Sequence, residues 1–266
     1  MSASSPSGAV HSGPVQIVGR LEVIGQLDAG SLQPDAIVSR ATAMQCDGAG
    51  VLELTLHTRD WGDERSGLSD IIRALQDLQL RVAIRTPHLG VAHRAIVAGV
   101  DIVDCMDESV MSRVRGLAAA HGTALVVTPR MGMENRRETD PSDRLLAAID
   151  HIVRACAQDG LQVGQIIVAV GADRAIPQTE ALLSLRYLSQ IVRGGYRVMV
   201  NLDDDESAAV GQEQRDAQTI GANVSVATWA VVQGAQLVRA HDVRTAWRAV
   251  TMVSAVLDPT WEPASC

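Results

Sequence analysis

The chain has 266 residues, of which 47% are hydrophobic, and a formal net charge of −8. This apolar content is enough for a large buried core, and the charge is spread along the chain without a stripe of Lys and Arg. These properties argue against a nucleic-acid partner and favour a protein that meets small molecules or other proteins.

The chain begins with a small and polar segment, MSASSPSGAVHSGP, over residues 1–14. It has neither a basic start nor a long apolar core, so we predict a disordered tail rather than a signal peptide. No apolar run approaches the length that spans a bilayer, so no membrane partner is expected. The four cysteines lie far apart and fit neither a zinc site nor a disulfide scaffold. Together these features predict a cytoplasmic protein.

Short β-branched runs then alternate with amphipathic patterns. The predicted strands cover residues 15–23, 50–56, 81–85, 101–104, 124–128, 165–170, 197–201 and 236–240. The stretches between them carry apolar residues at helical spacing, and several close on Gly, as helix C-termini do. Eight such alternations predict an α/β protein with one (β/α)8 TIM barrel over residues 15–257, followed by a C-terminal tail over residues 258–266.

The chemistry of such a barrel lies where its strands end. Here the predicted strand ends are unusually polar, which places a candidate site at that end of the barrel. The polar residues there are Glu22, His57, Thr58, Arg59, Arg85, Thr86, Asp104, Thr128, Arg130, Asp173, Arg174, Asn201, Asp203, Asp204, Asp205, Glu206, Arg239 and His241.

Several segments carry a family resemblance. They are GAGVLELTLHTRDWG, VAIRTPHLGVAHRAIVAGVDIVDCM, LAAAHGTALVVTPRMG and GANVSVATWAVVQGAQLVRAHDV. In their order and spacing they resemble dihydropteroate synthase and the wider pterin-binding barrels, over residues 16–257. The last segment contains RAHDV, which is similar to the Arg-x-His-Asp-Val that ends the last strand in that family.

The chain departs from the family at the positions that contact the pterin. By the resemblance, Arg85 stands in place of an Asp and Asp104 in place of an Asn, at the ends of the third and fourth strands. Ala169 replaces a second Asp, and the position of a Lys after the seventh strand falls on Asp205. Glu22 is assigned to the Asn that opens the family's first loop. The recognition of a pterin is therefore expected to be lost.

The size of this loss can be estimated. A charge-assisted hydrogen bond contributes roughly 1.5 to 3 kcal/mol, so losing two carboxylates and a lysine removes on the order of 5 to 9 kcal/mol. Affinity for a pterin should then fall by at least about a few thousandfold. We therefore do not expect this protein to make dihydropteroate.

Arg239 and His241 are the strongest candidates for substrate binding. The resemblance implies that they hold an anion near the departing diphosphate, and two residues apart on a strand they face the same side. In the alternative interpretation, Arg239 pairs with an inner carboxylate such as Asp104, while Asp242 caps the last helix.

The remaining candidates are assigned to catalysis or binding with alternatives left open. His57 could act as a general acid or base, with Arg85 and Asp104 as its catalytic neighbours, or be an ordinary loop histidine. Glu22 would suit Mg²⁺, the one cofactor that we consider, or would form an ion pair with Arg85 across the barrel mouth. We assign Glu22, Arg59 and Asn201 to substrate binding beside Arg239 and His241, and we assign no metal ligands. The acidic run over residues 203–207 could hold a cation or an amine, or be a solvated loop.

The sequence thus favours a divergent dihydropteroate-synthase-like enzyme that carries out a different bond-forming or rearranging reaction on a small anionic or aromatic substrate, in specialised metabolism. The alternative is a non-catalytic paralogue that binds a partner or senses a metabolite. A corrinoid-dependent methyltransferase shares the barrel but needs the same pterin-reading acids, so their absence counts against it equally. By resemblance, a homodimer is expected through helices that contain TWAVVQGA and AWRAVTMVSAVL.

Overall fold

Eight parallel strands close into a barrel in the order β1 to β8. The computed structural model describes residues 21–30, 32–63, 67–131, 140–172, 176–202, 212–258 and 260, with no side chains over 212–218. The strands are β1 (Glu22–Asp28), β2 (Ala49–Thr55), β3 (Arg81–Thr86), β4 (Ile102–Cys105), β5 (Ala124–Val127), β6 (Ile166–Gly171), β7 (Arg197–Asn201) and β8 (Leu237–Ala240). The predicted (β/α)8 TIM barrel is confirmed.

Helices follow the strands and surround the barrel. They are α1 (Pro34–Cys46), α2 (Leu68–Asp77), α3 (Leu89–Val97), α4 (Met111–His121), α5 (Pro141–Gln158), α6 (Gln178–Arg186), α7 (Leu188–Arg193), α8 (Gln212–Val232) and α9 (Val243–Leu257). One predicted helical stretch is two helices, because Tyr187 lies between the end of α6 and the start of α7. None of the helices in the described part of the chain is both long and apolar enough to cross a membrane.

The helices bury one apolar face against the strands. In α2 the buried residues are Leu68, Ile71, Ile72 and Leu75, a spacing of three and four that forms a single stripe. The start of α9 is capped by Asp242, whose Oδ1 accepts a hydrogen bond from the backbone N–H of Thr245 at 3.1 Å. Asp242 therefore has the capping role that the sequence allowed.

The first strand lies further along the chain than predicted. We expected it over residues 15–23, but the structure places β1 at Glu22–Asp28, and residues 15–20 lie outside the described part. The polar EVIGQLD has a weaker strand pattern than VQIVGRLEV, yet tertiary packing selects it. Its Gly25 admits close neighbours, since a Cβ there would lie 3.0 Å from Val243 Cγ2. Glu22 therefore begins β1 and Asp28 ends it.

The barrel interior is built in layers, because side chains point inward at alternate positions and alternate strands contribute to each layer. Two apolar layers fill the middle: Val51, Ile102, Ile167 and Leu237, then Ile24, Ala83, Val126 and Met199. Beneath them, at the strand starts, is the lower layer of Glu22, Arg81, Ala124 and Arg197. Above them is the upper layer of Glu53, Asp104, Ala169 and Arg239, and then the floor of Gln26, Arg85, Thr128 and Asn201. Polar groups thus enclose the apolar plug at both ends.

Candidate functional site

A large pocket opens at the carboxyl ends of the strands. Its volume is about 1180 Å³, and it reaches from the floor of the barrel into a cleft between α4 and α5. The lining combines polar residues from the strand ends with apolar residues from the loops and helices. The lining residues include Gln26, Asp28, Thr55, His57, Arg85, Asp104, Cys105, Met106, Val126, Pro129, Arg130, Ile176, Asn201, Leu202, Arg239 and His241. The cavity lies at the end of the barrel where the sequence placed the candidate site.

A buried ion-pair network lies at the base of this pocket. The Nη2 of Arg239 donates to Glu53 Oε2 at 2.6 Å and to Asp104 Oδ2 at 2.7 Å. Its Nη1 donates to Asn201 Oδ1 at 3.3 Å. Only 3% of the Arg239 side chain is exposed, so its charge is balanced inside the barrel by two carboxylates.

Burial decides the protonation tendencies of this network. Desolvation raises the pKa of Glu53, and the attraction of Arg239 does not fully offset it. Burial also acts to lower the pKa of Arg239, but Glu53 and Asp104 outweigh it, so the pKa of Arg239 is raised. Oε1 of Glu53 is buried and has no hydrogen-bond partner among the described residues.

Arg85 and Asp104 meet at the floor. The Nε of Arg85 lies 3.7 Å from Asp104 Oδ2 and 3.2 Å from Met106 Sδ. Only 16% of the Arg85 side chain is exposed. The structure therefore brings together four of the predicted site residues, Arg85, Asp104, Asn201 and Arg239, within one polar cluster.

The histidines line the pocket above this cluster. His57 follows β2 and is exposed, and its carbonyl oxygen lies 2.7 Å from His88 Nε2. His241 follows β8 and also lines the pocket. Arg59 begins a short 3₁₀ turn, Arg59–Gly62, and is not among the described residues that line the cavity. The two histidines are thus placed to face a ligand, and Arg59 is not.

Glu22 lies at the opposite end of the barrel, which corrects two expectations. It forms an ion pair with Arg81 in the lower layer, not with Arg85 across the mouth. The mouth end of β1 carries Gln26 and Asp28 instead. The suggestion of Mg²⁺ rested on Glu22, and no group of three metal-ligating side chains is found among the residues that the structure describes. Glu22 is therefore removed from the candidate site.

Some predicted candidates cannot be placed. Asp173 and Arg174, and the acidic run over residues 203–207, lie outside the described residues. The exchange of a family Lys for Asp205 stays a prediction from sequence.

The sequence interpretation missed Glu53 and Gln26. Glu53 is wholly buried, and Gln26 donates from Nε2 to Thr55 Oγ1 at 3.2 Å. A signal for Glu53 existed in the sequence. Glu53 lies two residues from both Val51 and Thr55, so the three side chains share one face of the strand, which is the face toward the barrel interior. Gln26 was missed because β1 had been placed too early.

Cys105, at the end of β4, also lines the pocket. Burial raises the pKa of its thiol, the nearby charges of Asp104 and Asp107 act in the same direction, and a backbone hydrogen bond at Asp107 offsets this only in part. A thiol with a raised pKa is a poor nucleophile at neutral pH. Cys105 therefore belongs to the wall of the pocket.

The comparisons with known proteins agree on one family. The family model described as "Pterin binding enzyme" matches residues 27–241. Dihydropteroate synthase of Mycobacterium leprae is 27% identical over 282 residues, covering 95% of this chain and 98% of that protein. A bifunctional folylpolyglutamate synthase/dihydropteroate synthase of Haloferax volcanii is 26% identical over 238 residues, and this chain spans only 28% of that longer protein.

Solved structures give the same result. The crystal structure of dihydropteroate synthase from Thermus thermophilus is 26% identical, with a TM-score of 0.72 over 90% of this chain and 94% of that one. The same enzyme has been solved in complex with 4-aminobenzoate, at 26% identity and a TM-score of 0.68, covering 89% and 95% of the two chains.

Proposed function

From the premise that this chain belongs to the pterin-binding enzyme family, and within it to the dihydropteroate synthase family, we propose that it is a divergent enzyme of this fold with a different reaction. That reaction forms or rearranges a bond on a small anionic or aromatic substrate, in specialised metabolism in the cytoplasm. It does not make dihydropteroate.

The observation that carries this proposal is an open pocket above a floor where other residues stand at the positions linked to pterin contacts. The cavity of about 1180 Å³ is large enough for an organic ligand. The positions that the family resemblance links to pterin contacts carry Arg85, Asp104 and Ala169. A pterin presents N–H donors to its site, and a guanidinium cannot accept a hydrogen bond, so Arg85 opposes a pterin.

Within this proposal, His57 is the candidate general acid or base, because it is an exposed histidine that lines the pocket. Asp104 and Arg85 shape the reacting end of the pocket, and His241 lines the mouth just after β8. Arg239 acts as a positioning residue, since its Nη donors already hold Glu53, Asp104 and Asn201.

The same network gives the alternative a specific support. Both Nη atoms of Arg239 are bound by protein groups, so they are not available to hold a departing anion. A protein that only senses a metabolite needs the open pocket but no such anchor. The alternative is therefore a non-catalytic, metabolite-binding paralogue of dihydropteroate synthase.

A thermal-shift panel tests the proposal. The purified full chain is heated with pterins, aryl amines, aryl carboxylates and Mg²⁺, singly and together. We expect stabilisation by an aryl compound and none by a pterin. A large shift with a pterin alone would overturn the proposal. Once a converted substrate is found, His57→Gln should abolish turnover with binding retained, whereas retained turnover would remove His57 from the mechanism.

We also propose a homodimer through α8 and α9. Large apolar side chains are exposed there, including Met252 at 67%, Val256 at 73% and Trp229 at 43%. Such residues are common at interfaces between subunits. Light scattering of Met252→Glu/Val256→Glu should show a monomer, and the matched control Val97→Glu, on α3, should stay dimeric. A monomeric unsubstituted chain would contradict the proposal.

A further inference from the structure

Two buried side-chain donors at the base of the pocket have no hydrogen-bond partner among the described residues: Nδ2 of Asn201 and Nε of Arg239. Asn201 is 4% exposed, and its Nδ2 donates no hydrogen bond to any of the described residues. Asn201 nevertheless lines the cavity. A buried N–H group without an acceptor is unfavourable, so this position favours a ligand that brings one.

The orientation of this amide is fixed by its neighbour. Arg239 Nη1 lies 3.3 Å from the side-chain oxygen of Asn201, and a guanidinium can only donate. The oxygen must therefore face Arg239, and the amide nitrogen takes the other side. The ion-pair network thus sets Asn201 to offer a donor.

Arg85 supplies a second donor at the same level of the barrel. It belongs to the floor with Asn201, lines the cavity and is only 16% exposed. Its neighbour Asp104 does not repel a second anion strongly, because Asp104 Oδ2 is already bound by Arg239 at 2.7 Å. The charges of Glu53, Asp104, Arg85 and Arg239 sum to zero when all are ionised. A negative ligand is therefore tolerated at the floor.

The walls above these donors are apolar. Met106, Pro129, Ile176 and Leu202 line the cavity there. Such walls favour a hydrocarbon or aryl body and disfavour a heterocycle rich in N–H groups.

We infer that the pocket binds an apolar carboxylic acid with its carboxylate inward, held by Arg85 and by Nδ2 of Asn201. The two donors match the two oxygens of a carboxylate, and the body of the ligand lies along the apolar wall. Arg239, which the sequence favoured as the anion anchor, orients Asn201 instead. This inference rests on the proposed function and names the chemical class of its ligand.

The experiment is calorimetric titration of the full chain with cinnamate, its neutral analogue cinnamamide and a pterin. We expect saturable binding of cinnamate and binding of cinnamamide that is weaker by about tenfold or more, because the amide loses one charge-assisted bond. The variant Asn201→Asp keeps an oxygen acceptor for Arg239 but replaces the donor, so it should weaken cinnamate binding by about tenfold or more. Arg85→Gln should do the same.

Arg130→Gln is the matched control, because Arg130 lines the rim and is paired with Glu108 at 2.7 Å. It should leave cinnamate binding within about threefold, as a screened surface pair contributes little. Three results would overturn the inference and leave the proposed function standing. They are equal affinity for cinnamate and cinnamamide, no binding of cinnamate, and an affinity for cinnamate that is unchanged in Asn201→Asp. Tight binding of the pterin would overturn both.

Discussion

The two ends of the barrel interior carry charged layers of different character. In the lower layer, Glu22 and Arg81 form an ion pair whose side chains are 36% and 37% exposed. In the upper layer, Glu53, Asp104 and Arg239 are almost completely removed from water. The same residue types therefore form a partly solvated ion pair at one end and a fully buried network at the other. Burial, more than residue type, determines how much a charged side chain contributes to stability.

The strongest test of this contrast removes the central cation. Arg239→Met leaves Glu53 and Asp104 buried near each other, with only Arg85, 3.7 Å from Asp104, as a counter-charge. We expect a loss of about 3–5 kcal/mol in the free energy of unfolding, measured by urea denaturation. The double variant Glu53→Met/Arg239→Met removes one stranded carboxylate and should be more stable than Arg239→Met alone. A loss below about 1 kcal/mol in the single variant would show that the network is as weak as a surface pair.

Two glycine substitutions compare the backbone conformation and the space around it at the two ends of the barrel. Gly171 at the mouth has φ +89°, and a Cβ there would lie 2.7 Å from the Asn201 carbonyl oxygen. Gly122, which caps α4 at the lower end, has φ +72° with open space around it. Gly122→Ala should cost about 1–2 kcal/mol for the left-handed backbone alone.

Gly171→Ala should cost more than Gly122→Ala, because the clash displaces Asn201 as well, and it should also weaken ligand binding. Thermal unfolding and calorimetry measure the two effects. Equal losses in the two variants, with ligand binding intact, would mean that Asn201 does not depend on this close approach.

A pH titration examines the buried carboxylate. The pKa of Glu53 is raised in the folded protein by burial, so the folded state holds this proton more tightly than the unfolded state. The stability that this proton contributes is complete below the ordinary glutamate pKa of about 4.3 and is lost as pH rises through the raised value. Relative to the unsubstituted chain, Glu53→Gln should therefore gain stability over that window. If the curves of unfolding free energy against pH ran parallel for the two proteins, the raised pKa of Glu53 would be contradicted.

The smallest effect is expected in the lower layer. Glu22→Gln breaks the ion pair with Arg81, but both side chains are partly solvated. The loss should be roughly 1 kcal/mol or less and should shrink further in high salt. Denaturation at two salt concentrations measures it. A loss as large as that of Arg239→Met would erase the contrast between the two ends.

Much of the fold could be predicted because apolar periodicity marks its elements. β3, β4 and β7 fall within a residue of their predicted bounds, since Val and Ile runs flanked by helical patterns have few alternative interpretations. β1 was wrong because its choice depends on packing around Gly25, which local preference does not encode. That one error also moved Glu22 to the wrong end of the barrel.

The candidate site was predictable in part for a related reason. Inward positions at strand ends identified Arg85, Asp104, Asn201 and Arg239 as a group. Their partners could not be deduced, because the Glu53 carboxylate reaches Arg239 across 186 residues of chain. A charged residue within an apolar strand, as in GVLELTL, is the signal to look for such a network.

The two hydrocarbon layers between the charged ends have an evolutionary consequence. They separate the two charged ends with apolar side chains such as Ile102 and Met199, which form no hydrogen bonds with the described polar groups on either side. Mutations that invert the chemistry at the mouth can therefore accumulate while the scaffold below keeps folding. A barrel of this design can change what it recognises in successive small steps, each tolerated by the fold.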